Sequence, residues 1–257
     1  MIHPTAIIHP GAQLHESVRV GPYSVIDEHV TVGAGCELAP HVHLTGHTTI
    51  GAENRFHTGC VIGDAPQDLK YGDEPTWLII GDRNLFREHV TVHRSNTPGE
   101  DTRIGTENFF MANSHVGHNS IIGNKVILAN GVLIAGHAMI GDGAFIAGNA
   151  VVHQFCRVGT MAMMQGCAGV SLDLPPFTIV RGINGMCGLN SVGLKRAGFS
   201  AKERSQLKKA YHAIFLSDDL LKDALEKARG EFTGVLAEQL IDFVATSQRG
   251  TCSHTKR

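Results

Sequence analysis

The sequence predicts a mainly β fold, a stack of short parallel strands wound into a three-sided prism, followed by a small α-helical domain. Two observations carry the prism. Stepping in sixes from Ile2 to Val170, 26 of 29 positions are apolar, in a chain that is only 42% hydrophobic. Many of the residues that follow the apolar one are glycine: 21, 33, 51, 63, 81, 105, 117, 123, 141 and 159. A third observation separates off the end of the chain. Residues 1–194 carry 10 Lys and Arg against 16 Asp and Glu, whereas residues 195–257 carry 12 against 8.

A period of six is neither the 3.6 of a helix nor the 2 of a long strand, and it fits a short strand plus a corner, repeated. Three such sides make a coil of 18 residues, and successive coils stack as parallel strands about 4.8 Å apart. Internal repeats of this kind build stability coil by coil. Small residues recur at the fifth position of the hexad, as at Ala6, Ala12, Ser114, Ala138, Ala144 and Ala150, so that a large and a small side chain both point inward. Cys36, Cys60 and Cys156 share that position and read as core rather than as nucleophiles. The glycines are expected at positive φ, as a tight corner requires.

The three exceptions in the series are Asp68, Glu74 and Pro98. They mark an excursion over residues 64–78 and a shorter one over 94–103. Insertions on a solenoid commonly form its binding face. Pro175-Pro176 ends the pattern. The division that follows is a β-helix over 1–190 and a helical domain over 191–257. In the latter, Ser200-Ala201-Lys202-Glu203 has capping-box spacing ahead of Leu207, Ala210, Tyr211, Ile214 and Phe215. Two more helices are expected near 218–229 and 234–247.

Composition excludes several classes. A net charge of −2 argues against a general nucleic-acid binder. Six cysteines in 257 residues are too sparse for a disulfide scaffold. No apolar run approaches the roughly 18 residues of a membrane span, and the N-terminus Met1-Ile2-His3-Pro4 shows no signal-peptide pattern. The reading is a soluble cytoplasmic protein. Thirty glycines fall far below one in three, which excludes collagen.

Histidine is the candidate chemical group. Hexads beginning at 116, 134 and 152 lie 18 apart, on one face of three successive coils, and hold His118, His137 and His153, with His115 just before. Imidazoles so placed form a column with steps of roughly 5 Å. Such a cluster serves as a general base near neutral pH or as a metal site. A zinc hydratase of the γ-carbonic-anhydrase kind is therefore a rival, although no Cys or carboxylate joins the cluster. A scaffold with an accidental histidine cluster is a third reading.

Several inserted and edge motifs narrow the choice. They are Gln67-Asp68-Leu69-Lys70-Tyr71 with Glu74-Pro75-Thr76, Ile80-Gly81-Asp82-Arg83-Asn84, His115-Val116-Gly117-His118, Ala135-Gly136-His137, Val152-His153-Gln154-Phe155, and Gly193-Leu194-Lys195-Arg196 with Gly198-Phe199-Ser200. With these the chain resembles, over essentially its whole length, the UDP-N-acetylglucosamine O-acyltransferases that begin lipid A synthesis. The resemblance implies a left-handed β-helix, a homotrimer, and transfer of a 3-hydroxyacyl chain from acyl carrier protein to the 3-position of the UDP-sugar. The acyl group arrives on the carrier's phosphopantetheine, and no further cofactor and no metal are implied.

By that resemblance His118 is the general base and the Gly136 N–H holds the oxyanion. Asp68 and Lys70 contact the sugar and the incoming acyl group. His115, His137, His153 and Gln154 line the UDP-sugar cleft, Asn190 and Arg196 contact the nucleotide, and the cleft lies between subunits. Met163, Met164 and Gly166 belong to the acyl-chain region. The basic stretch with Arg204, Lys208 and Lys209 receives the acidic carrier protein. Two positions depart from the pattern. Asn119 stands where many members have Asp beside the catalytic histidine, and Val192 where many have Glu. Some relatives with a similar Asn-Ser-Val-Gly segment prefer a 3-amino sugar. N-acylation of that analogue is thus an alternative expectation, because an amine places a weaker demand on the base.

Overall fold

The computed structural model describes residues 1–255. Its first 170 residues form a left-handed parallel β-helix whose three faces are three parallel sheets. One face has nine strands and begins at Ile7–Ile8. The second has eight and begins at Gln13–Leu14, and the third has eleven and begins at Arg19–Val20. Each strand pairs with the one a coil later, as Ile7 with Val25 and Val116 with Ile134.

Most strands are only two residues long, and their second residue points inward. Leu44, Ile62, Val92, Val116, Leu128 and Ile146 are all fully buried. Each such side chain contributes about 1.5–3 kcal/mol relative to exposure. In the interior, Phe56, Phe86 and Phe110 stack in a row at 4.8 Å between successive centroids. Beside them Asn54, Asn84 and Asn108 form an internal amide ladder. Asn54 Oδ1 accepts from the Asn84 N–H and Asn84 Oδ1 accepts from the Asn108 N–H, both at 2.9 Å. Buried polar groups so paired hold the coil register.

The glycines do a different job from the one expected. Of the ten that follow the apolar position, only Gly63 has positive φ. The others allow coils to approach closely. A Cβ on Gly33 would lie 2.7 Å from the carbonyl carbon of Gly51, and one on Gly21 would lie 2.8 Å from that of Ala39. The left-handed conformation falls three residues after the apolar one and is adopted by Tyr23, Glu53, Arg83, Asn119, His137 and Phe155 among others.

The excursions are shorter than expected. Asp64 ends the strand Val61–Asp64 and Trp77 begins the strand Trp77–Ile80, so the first inserted loop is 65–76. The second is 94–100, since Asp101–Ile104 is a strand. Beyond Pro176 the eleven-stranded face continues. Thr178–Arg181 pairs in parallel with Met163–Met164, then antiparallel with Gly185–Leu189, which pairs with Ser253–His254. This hairpin closes the end of the prism.

Four helices follow: α1 (Ser191–Arg196), α2 (Ala201–Phe215), α3 (Leu221–Glu231) and α4 (Val235–Ala245). The expected capping box at α2 is complete, with Ser200 Oγ accepting from the Glu203 N–H and Glu203 accepting from the Ser200 N–H. Leu207, Ala210, Tyr211 and Ile214 of α2 bury against Leu240, Ile241 and Val244 of α4. Arg157 ties this bundle to the prism. Its Nε donates to buried Asp173 at 2.8 Å, its Nη2 donates to the Phe243 carbonyl at 2.9 Å, and its guanidinium lies 4.3 Å from the Phe243 ring centroid. Among the described residues no helix is long and apolar enough to cross a membrane.

Candidate active site

The corner after the nine-stranded face carries the histidines, and beside it runs a cleft of about 760 Å³. His115, His118, Gly136, His153 and Gln154 line it, with Gln67 reaching in from the first inserted loop. The imidazoles share this corner but not a single vertical row. The residue one coil above His118 is Gly136, then Gln154, whereas His137 stacks in the row of Asn119 and Phe155. His137 lies parallel to Phe155 at 4.6 Å and edge-on to His118 at 5.2 Å. Among the described residues no group of three or more His, Cys, Asp or Glu is arranged to hold a metal ion.

His118 is held by its neighbour. Its Nδ1 lies 2.9 Å from Asn119 Oδ1. That oxygen also accepts from the Asn96 N–H at 2.9 Å. Oδ1 can only accept, so the bond assigns the imidazole proton to Nδ1 and leaves Nε2 with a lone pair. Asn119 is 7% exposed and sits at φ 57°, a conformation asparagine tolerates. Its backbone N–H donates to Thr102 Oγ1 at 2.8 Å.

Gly136 is packed against the free side of that ring. A Cβ on it would lie 2.7 Å from His118 Nε2 and Cε1. Gly136 is buried, and its N–H meets no acceptor among the described residues. Among the described residues the same corner N–H is unpaired at Ala34, Thr58 and His118, and proline takes the position at Pro4, Pro10, Pro22 and Pro40, so the free N–H comes from the geometry of the corner. At Gly136 it belongs to a residue on the wall of the cleft, next to the His118 ring.

The other histidines are shifted by their surroundings. Burial, then the neighbouring His93 and His118, pushes the His115 pKa down to about 4, and His115 Nδ1 pairs with Thr91 Oγ1 at 2.7 Å. His137 is lowered by burial and by His118. Asp68 is lowered by the Lys70 N–H and by Asn96, whose side-chain amide donates to it at 2.7 Å. In contrast, burial raises the Cys60 thiol to about 12, which suits an inert core residue.

The sequence overlooked His93, Ser95, Asn96 and Glu100. His93 lies edge-on to His115 at 4.9 Å, and burial lowers its pKa. The signal was masked because the second insertion stretches this coil from 18 to 24 residues, so that Thr91 pairs with His115.

The remaining expected positions lie elsewhere in the single chain. Lys70 is exposed in the first inserted loop. Asn190 caps α1, accepting from the Gly193 N–H, and donates to the Met161 carbonyl. Arg196 is exposed at the end of α1, where Val192 is 62% exposed. Met164 fills the prism interior, while Met163 faces outward on the eleven-stranded face and Gly166 is exposed at the next corner. Lys208 and Lys209 are exposed on α2, and Arg204 Nε donates to the Phe199 carbonyl.

Comparison with known proteins agrees with this architecture. Residues 173–252 match a model described as UDP-N-acetylglucosamine O-acyltransferase, domain 2, and residues 101–136 match one described as bacterial transferase hexapeptide (six repeats). The acyl-[acyl-carrier-protein]--UDP-N-acetylglucosamine O-acyltransferase of Myxococcus xanthus is 44% identical over 252 residues, 97% of this chain and 98% of that protein. The enzyme of the same name from Syntrophobacter fumaroxidans is 43% identical over 253 residues, 97% of this chain and 98% of its own. The crystal structure of the Francisella novicida UDP-N-acetylglucosamine acyltransferase superposes with a TM-score of 0.94 at 35% identity, covering 100% of this chain and 95% of that one. The Bacteroides fragilis enzyme superposes with a TM-score of 0.94 at 38% identity, covering 98% and 99%. With its prism, its inserted loops and its helical end all matched, the chain belongs to the UDP-N-acetylglucosamine O-acyltransferase family.

Proposed function

We propose that the cleft transfers a 3-hydroxyacyl group from the thioester of acyl carrier protein to the 3-hydroxyl of UDP-N-acetylglucosamine. The observation that carries this is that His118, with Nε2 free, and Gly136, with its N–H unpaired among the described residues, stand side by side on the wall of the cleft. Acyl transfer needs a base to take the hydroxyl proton and a donor for the oxygen that becomes negative. In the reaction, the sugar oxygen attacks the thioester carbonyl as His118 Nε2 takes its proton. The carbonyl oxygen becomes an oxyanion beside the Gly136 N–H. Collapse breaks the C–S bond, and the proton on His118 passes to the leaving thiolate. An ester and a free carrier thiol result, and no acyl-enzyme is required.

Asp68, which accepts from the Lys70 N–H and the Asn96 side-chain amide, is assigned to a sugar hydroxyl. His115, kept neutral near pH 7 by its lowered pKa, and His153 supply further polar contacts along the cleft. Asn190 and Arg196 stand apart from His118 in one chain, so we assign them to a nucleotide site completed by a neighbouring subunit of a homotrimer. The exposed Lys208 and Lys209 of α2 form the surface for the acidic carrier protein. Replacing His118 by Ala tests the assignment. Turnover falls about 10²–10⁴-fold while the UDP-sugar still binds. Full activity in that variant would overturn it.

A further inference from the structure

The base pairs with an amide, and an amide stabilises an imidazolium less than a carboxylate does. The hydrogen bonds around Asn119 show where the missing charge sits. While Oδ1 faces His118 and the Asn96 N–H, Nδ2 donates to Glu100 Oε2 at 2.7 Å and to Ser95 Oγ at 2.8 Å. The orientation of the amide is fixed at both ends. A backbone N–H requires an oxygen, and a carboxylate requires a nitrogen. We propose that Glu100, in the second inserted loop, is a positioning residue that acts on His118 through Asn119, so that Glu100, Asn119 and His118 form a relay with its negative charge one residue further out.

This rests on the reading of His118 as the base. The proton that Nε2 of His118 takes from the sugar passes to the leaving thiolate, and none moves along the relay. Asn119 remains neutral, polarised by the carboxylate, and Glu100 takes up no proton. The relay also explains why an aspartate is not needed at this position. In an Asn119→Asp variant, an oxygen would replace Nδ2 at the present 2.7 Å from Glu100, carboxylate to carboxylate, and one of the two would have to protonate or withdraw. Amide and carboxylate are thus a matched pair. Because Glu100 is exposed in the free chain, solvent and salt screen its charge. The expected effect is therefore moderate. Other charged or titratable groups facing His118 are Asp68 from the first inserted loop, and His93, His115 and His137 from neighbouring coils. They are unchanged in the variants below.

The test uses the full-length protein with four variants: E100Q, E100A, N119D and N119D/E100Q. With acyl carrier protein thioester and UDP-N-acetylglucosamine, E100Q lowers kcat about threefold to tenfold with KM for the UDP-sugar within about twofold. The acid limb of its kcat/KM profile moves to lower pH, because loss of the charge makes the imidazolium easier to deprotonate. E100A, which also removes the acceptor, is slower still. N119D is impaired, and adding E100Q to it restores activity. A ring-labelled histidine titration by NMR, with the His118 signal assigned by its absence in His118→Gln, reads the relay without turnover. The His118 titration moves to lower pH in E100Q. Unchanged kcat, pH profile and ring titration in E100Q, or an N119D enzyme as active as wild type and indifferent to E100Q, would overturn the relay. A wild-type protein that transfers no acyl group, yet shows the NMR shift, would instead overturn the functional reading and leave the relay standing.

Discussion

In the proposed reaction two residues, His118 and Gly136, set the chemistry, and in the structure each constrains the other. Gly136→Ala forces a Cβ to within 2.7 Å of the His118 ring, which must rotate away from Asn119. The expected outcome is a fall in kcat of at least about tenfold with melting temperature nearly unchanged, checked by steady-state kinetics beside a thermal scan. A second prediction concerns His115. Its folded pKa of about 4 lies below the ordinary value of 6.5. The unfolded chain therefore binds the extra proton first. Stability is fully present above about pH 6.5 and is lost as pH falls toward 4, by up to about 3 kcal/mol from this residue. Denaturant titrations at pH 7.5 and pH 5 would show the loss, and His115→Gln would reduce it. Equal pH dependence in both proteins would contradict this account of His115.

Elements show how far the sequence could be read. The inward residue of nearly every strand was visible as the six-residue period, because burial inside a narrow prism demands an apolar side chain at each turn. Phe86→Ala, in the middle of the aromatic stack, should cost about 3–5 kcal/mol by cavity formation. The capping box of α2 was equally visible, and Ser200→Ala should cost about 1 kcal/mol. Both are measured by equilibrium unfolding. The role of Gly33 was not legible, since positive φ and close backbone approach both select glycine and only the stacked coils distinguish them. Nor was the closing hairpin Thr178–Arg181 with Gly185–Leu189, because an antiparallel return carries no repeat. Glu100 and His93 were hidden for another reason. The insertion that brings Glu100 to Asn119 also breaks the spacing by which neighbours on adjacent coils are recognised.

At the scale of the whole molecule, the prism presents His118 on one face while Asn190 and Arg196 lie at the junction with the helices. If neighbouring subunits complete each other's sites, mixing His118→Ala with Arg196→Ala subunits after dissociation yields some trimers with one intact site. Activity should reappear from two inactive parents, and continued inactivity of verified mixed trimers would contradict a shared cleft. On the proposed reading, inserted loops, base, oxyanion donor and basic helix serve one reaction, transfer of an acyl group to a sugar oxygen. Mass spectrometry of the product from 3-hydroxyacyl carrier protein and UDP-N-acetylglucosamine tests that most directly, with the 3-amino sugar offered in competition. The account predicts a single acyl group in ester linkage to the 3-oxygen. A product formed only on the amino sugar, or none on either, would contradict it.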